Sequence, residues 1–95
     1  MAQKILVLYK PQGFNEEYYV SQHLPLAARA LQGVVDGVEV GKMVGDGPYY
    51  RIAILSVPEG QTVDAVMATP GMRETVADLQ HCTQEGGFEV LVYET

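Results

Sequence analysis

Three stretches of this 95-residue chain carry apolar residues at consecutive positions: KILVLYK at 4–10, YYRIAILSV at 49–57 and FEVLVYE at 88–94. All three are rich in β-branched and aromatic residues and border a Gly or Pro break, the signature of strands. A strand sends successive side chains to opposite faces. Ile5, Val7 and Tyr9 therefore point one way, and Leu6 and Leu8 the other. Ile52 and Ile54 oppose Ala53, Leu55 and Val57, while Phe88, Val90 and Val92 oppose Leu91 and Tyr93. A sheet built from these strands must be covered on both faces, which excludes the half-solvated sheet of an ordinary antiparallel domain.

The rest of the chain supplies the partners. Asn15 suits a helix N-cap, with Glu16 and Glu17 in the first turn, where the helix dipole favours anions. That helix is expected to run to about Leu31 and stop near Gly33. VVDGVEVGKMVG at 34–45 reads as a second strand, with Gly37 or Gly41 marking a bulge or a close approach. GDGP at 45–48 is a turn. Thr62 caps a short helix carrying Val63, Val66 and Met67, and Thr69 with Pro70 opens another, in which Met72, Val76 and Leu79 form one stripe.

The order β-α-β-β-α-β predicts a ferredoxin-like α+β domain spanning 1–95, a four-stranded antiparallel sheet with both helices on one face. Two helices cover one face only. Left bare, the other would be an apolar patch larger than the roughly 300–600 Å² typical of a monomer. A second copy packed sheet to sheet removes it, so a homodimer is expected. The alternative is a monomer with a loop folded over that face.

Composition narrows the partners. Six basic residues against twelve acidic ones give a net charge of −6, and the basic residues are scattered singly. Nucleic acid and anionic membrane surfaces are therefore not expected partners. Cys82 is the single cysteine, so the chain cannot form an internal disulfide. The apolar run at Ile5 to Tyr9 is too short for a signal-peptide core or a membrane span, and a cytoplasmic location is the expectation.

Chemistry concentrates in YYVSQHLPLAARA, 18–30. At helical spacing Tyr19, His23, Leu26 or Ala27, and Ala30 share one face, turned to the sheet. Pro25 lacks the N–H that Ser21 would need, so the helix should bend there and open space beside His23. With a reference pKa near 6.5, an inward histidine can act as acid or base at neutral pH. Tyr18, Tyr19, Tyr49 and Tyr50 are natural companions, able to hydrogen-bond and to stack on a flat ligand. A core histidine and packed tyrosines would leave the same pattern.

VLYKPQGFNEEYYVSQHLPLA at 7–27 resembles the opening of EthD-domain proteins: a strand ending in Tyr, a Gly-Phe loop, then Tyr-Tyr and His-x-Pro-Leu on a helix. GPYYRIAILSV at 47–57 is similar to the family's second signature, and AVMATPGMRETVADLQHCT at 65–83 to its last helix, which carries an Asp. The resemblance implies a dimeric α/β barrel. The family is named for a protein of a bacterial ether-degradation cluster that works beside a cytochrome P450 system, and some fungal relatives are dehydratases or decarboxylases of aromatic substrates. By position, the family's histidine corresponds to His23, its first tyrosine pair to Tyr18 and Tyr19, and its second to Tyr49 and Tyr50. Arg51 departs from the small or apolar residue of the pattern and could anchor an acidic ligand or pair locally.

Other signals carry less. His81 and Cys82 are adjacent and point about 100° apart on a helix, so no metal site is expected from them. No haem, flavin or nicotinamide fingerprint occurs, so no cofactor is expected. The expected function is binding of a small apolar or aromatic metabolite between helices and sheet. His23 is the candidate acid/base, and Tyr19, Tyr50, Tyr9 and Arg51 are the candidate binding residues. The chemistry would be cofactor-free proton transfer: dehydration, decarboxylation, cyclisation or isomerisation. The alternative is a non-catalytic binding or accessory module for a catabolic monooxygenase system.

Overall fold

The apolar runs form strands where the pattern places them. The structure, a computed structural model, describes residues 2–95. Strand β1 (Gln3–Tyr9) leads to a short helix α1 (Glu16–Tyr18), a π-helical turn (Tyr19–His23) and helix α2 (Leu24–Ala30). Strands β2 (Gly37–Lys42) and β3 (Arg51–Ser56) follow, then helices α3 (Val63–Met67) and α4 (Pro70–Cys82), and strand β4 (Phe88–Glu94). The strands lie in the order β2-β3-β1-β4, all antiparallel. This is the expected ferredoxin-like α+β arrangement.

Register sorts the residues into rows. Toward the helices run Val92–Ile5–Leu55–Val38, Val90–Val7–Ala53–Val40 and Phe88–Tyr9–Arg51–Lys42. On the open face run Leu91–Leu6–Ile54–Glu39 and Glu89–Leu8–Ile52–Gly41. Apolar side chains thus occupy both faces of the central strands. The helices seal Ile5, Ala27, Leu31, Leu55, Val57, Val66 and Met72 into one core cluster. Fully burying one such aliphatic side chain is worth about 1.5–3 kcal/mol. The cover stops short of the edges, where Val38, Val40, Val90 and Val92 remain between 41 and 50% exposed.

The caps act as expected. Asn15, Thr62 and Thr69 accept from the backbone N–H groups of Tyr18, Ala65 and Met72. Three details differ from the sequence reading. The region 34–45 is not all strand: after the left-handed Gly33, Val34 and Val35 turn back onto the core, and β2 begins at Gly37. The buried stripe of α4 is Met72, Thr75, Leu79 and Cys82, while Val76 is 39% exposed. Thr75 is tolerated inside because its hydroxyl donates to the Gly71 carbonyl. Finally, the helix does not open at Pro25. One turn widens, with the Leu24 N–H reaching the Tyr19 carbonyl, and this sets Pro25 in the first turn of α2, where no N–H is required.

Gly71 lets α4 lie close on α2: a Cβ there would stand 2.0 Å from the Ala30 carbonyl oxygen. This approach brings the middle of α4 against the π-helical turn.

Candidate functional site

The π-helical turn carries Tyr19 and His23 on its buried side, 0% and 3% exposed. Their rings stack with centroids 5.6 Å apart and planes 20° from parallel. His23 Nδ1 lies 2.9 Å from Asp78 Oδ2 on α4, and the Tyr18 hydroxyl donates to Asp78 Oδ1 at 2.6 Å. Both carboxylate oxygens are therefore engaged. Burial alone would push the Asp78 carboxyl up. The hydrogen bonds from Tyr18 and His23, with the charge of the neighbouring histidines, hold it below the ordinary carboxylate value instead. The same bond to Asp78 pushes the Tyr18 phenol up to about 12. Asp78 is thus an acceptor that fixes how the His23 ring sits, the role a carboxylate plays behind a catalytic histidine.

On the other side of Tyr19 lies an aromatic cluster. Phe14, on the loop before α1, contacts Tyr9, Tyr19 and Tyr50 with centroids 5.4, 5.1 and 5.5 Å away. Tyr9 and Tyr19 meet edge to face at 5.3 Å. Burial pushes the Tyr19 phenol up to about 12 and raises Tyr9 further. Arg51 lays its guanidinium 5.4 Å from the Tyr19 ring and 5.9 Å from the Tyr50 ring, and Lys42 Nζ stands 5.2 Å from Tyr50. Glu16, in the first turn of α1, accepts from both Arg51 and the Tyr50 hydroxyl. Those bonds hold its carboxyl below the usual range, Tyr50 being the larger cause and Arg51 the next.

The predicted residues His23, Tyr9, Tyr19, Tyr50 and Arg51 thus meet at one end of the sheet. Tyr49 is turned away and bonds Glu89 at the rim of the open face. The gap expected beside His23 is closed, because the widened turn packs Tyr19 onto it. Clefts open elsewhere on the surface. One of about 540 Å³ lies at the opposite end of β1, beside Lys4 and Ser56, and one of about 350 Å³ lies outside Tyr18 and Gln22. Phe14, Glu16 and Asp78 are site residues to which the sequence reading gave no site role: Phe14 and Asp78 entered only through the resemblance, and Glu16 only as a first-turn acid. An acid in the C-terminal half of a helix does not complement the dipole, and that was the signal for Asp78.

His23, Asp78 and Cys82 offer ligand atoms all within 4.8 Å of one another. The set fits a metal poorly. Asp78 spends both oxygens on Tyr18 and His23, and Cys82 is fully buried, its thiol pushed up to about 12 by burial and by Asp78.

The architecture defines a class, the ferredoxin-like α+β domain with an inward histidine under its first helix. No family model and no curated protein matches the sequence. Solved structures share its fold. An EthD family protein from Bacillus halodurans is 17% identical, with 100% of this chain and 99% of that one covered and a TM-score of 0.81. An EthD-like protein from Ralstonia eutropha is 18% identical over 98% and 90% of the two chains, with a TM-score of 0.74. A dimeric ferredoxin-like protein of unknown function from Jannaschia is 16% identical over the full length of both, with a TM-score of 0.72. The EthD-type fold expected from the sequence is therefore the fold of this chain. Among the described residues no helix is long and apolar enough to cross a membrane.

Proposed function

We propose that the protein is a homodimer closed through the open faces of two sheets. Each subunit takes a small apolar or aromatic molecule between helices and sheet, at Tyr9, Tyr19, Tyr50 and Arg51. His23, oriented by Asp78, is the acid/base of a cofactor-independent dehydration, decarboxylation, cyclisation or isomerisation. The observation that carries the site is the Tyr19 hydroxyl. It is buried and has no hydrogen-bond partner, on a ring stacked against His23, the histidine that Asp78 holds. Such an orphan costs about 1–3 kcal/mol, which a ligand accepting its hydrogen bond recovers. The dimer is supported by the row Leu91–Leu6–Ile54 on the open face and by the dimeric relative of the same fold.

A second reading is favoured by the burial of His23: a binding module in which that histidine is only structural. His23→Gln separates the two, since its amide can still donate to Asp78. If His23 is the acid/base, the variant keeps its fold and its ligand-dependent stabilisation against a panel of aromatic metabolites but loses turnover. If no metabolite is turned over by either form while binding persists, the module reading stands. Light scattering tests the dimer directly. The wild type should measure twice the 10.4 kDa chain, and Ile54→Lys should measure one chain. A wild-type monomer at micromolar concentration refutes the paired sheets.

A further inference from the structure

We infer that the ligand of this site is a carboxylate, and that Glu16 occupies its place as an internal substitute on Arg51 and Tyr50. The inference rests on the small-molecule site proposed above and names the class of molecule it takes.

Arg51 is poorly used by the protein itself. One terminal N–H group meets Glu16, while its Nε is buried with no partner. A guanidinium presents its N–H groups as a planar fork matched to the two oxygens of a carboxylate. Glu16 divides its oxygens instead, one to Arg51 and one to the Tyr50 hydroxyl, and leaves half of the fork empty. The second orphan in the same cluster is the Tyr19 hydroxyl, whose ring carries that guanidinium on its surface. Two buried donors of one cluster, Arg51 Nε and the Tyr19 hydroxyl, therefore lack an acceptor. A carboxylate on a flat ring would supply acceptors to both, while Phe14 and Tyr9 offer ring edges and faces to its body.

Charge agrees. The charged groups against Tyr50 are Arg51, Lys42 and Glu16, two cations and one anion, in a chain that is otherwise acidic. A ligand carboxylate that displaces Glu16 restores the same balance. Glu16 is also the easier group to move, with a side chain 38% exposed against 15% for Arg51. It sits in the first turn of the helix that continues through the π-helical turn into α2. Its bonds to Arg51 and Tyr50 link that turn to the start of β3. Exchange of one carboxylate for another thus needs only the half-exposed Glu16 side chain to swing out into solvent.

The test titrates wild type, Glu16→Gln and Arg51→Met with 2-naphthoate and with neutral 2-naphthamide. Affinity and the Arg51 Nε–H resonance are followed by NMR. The wild type should prefer the acid by about tenfold, the scale of one charge-assisted contact. The acid should shift the Arg51 Nε–H signal. Glu16→Gln should bind the acid several-fold more tightly and the amide unchanged, and Arg51→Met should show no preference. Arg51→Lys, which keeps the charge and loses the fork, should fall between and serves if Arg51→Met does not fold. Equal binding of acid and amide to the wild type overturns the ligand class and leaves the site standing. So does an acid preference that Glu16→Gln leaves unchanged or weakens. Failure of both probes to bind any of the variants overturns the site as well.

Discussion

Replacing Asp78 by Ala tests the link between the two helices and the histidine most directly. The Asp78 side chain is 9% exposed and that of His23 4%, so water cannot take the place of the carboxylate. Removing it leaves His23 Nδ1 buried without its partner. An unmade buried hydrogen bond costs about 1–3 kcal/mol, and little apolar packing is lost with a single carboxylate, so we expect a net loss of about 2 kcal/mol. For a domain of this size that is a fall in Tm of about 8–16 °C. The pH dependence supplies a second readout. The folded pKa of Asp78 lies below its unfolded value, so its contribution is fully present above the unfolded pKa, about 3.9, and is lost as pH falls through the folded value. The gap between wild type and variant should stay level from pH 5 to neutrality as far as Asp78 is concerned, and close below about pH 4. Asp78→Asn keeps the shape and one acceptor oxygen, and should fall between the two. Melting followed by circular dichroism at pH 7 and pH 3 measures all of this. An Asp78→Ala protein as stable as wild type at pH 7, or a gap that persists undiminished at pH 3, refutes the assignment of Asp78 as the partner that holds His23.

Two further outcomes follow from the packing. Gly71→Ala should destabilise the fold in urea, because a Cβ 2.0 Å from the Ala30 carbonyl forces α2 and α4 apart, at about 1–3 kcal/mol or more against about 1 kcal/mol gained in helix propensity. Gly37→Ala, whose Cβ would meet only Ser56 Oγ at 3.9 Å, is the control, and equal stability of the two variants would contradict the close approach. Cys82 is fully buried with its thiol pushed up to about 12, so the native protein should not react with a thiol reagent at pH 8, and one equivalent per chain should react in urea.

The helix that carries the site shows how far local pattern reaches. Tyr19, His23 and Ala27 are buried together, as their spacing requires, because a helix brings those positions to one face whatever surrounds it. Pro25 was legible as a disturbance, but its outcome was not. A bend and a widened turn both answer a missing N–H, and packing against α4 selects the turn that presses Tyr19 onto His23. Val76 and Thr75 make the same point. Both fit a helical stripe, and only the position of the sheet edge decides which one is covered.

The sequence by itself determined the strands, their two-sided apolar character, the capped helices and the inward histidine, since each follows from pleat, helical period or cap chemistry within a few residues. The tertiary structure decided what that histidine meets. Asp78 lies 55 positions from His23, and Glu16 lies 34 and 35 from Tyr50 and Arg51. Contacts at such separations depend on how α4 crosses α2 over Gly71 and how the loop before α1 folds over the sheet. No periodicity along the chain encodes them, because they are set by the shape of the surfaces that the elements present to one another.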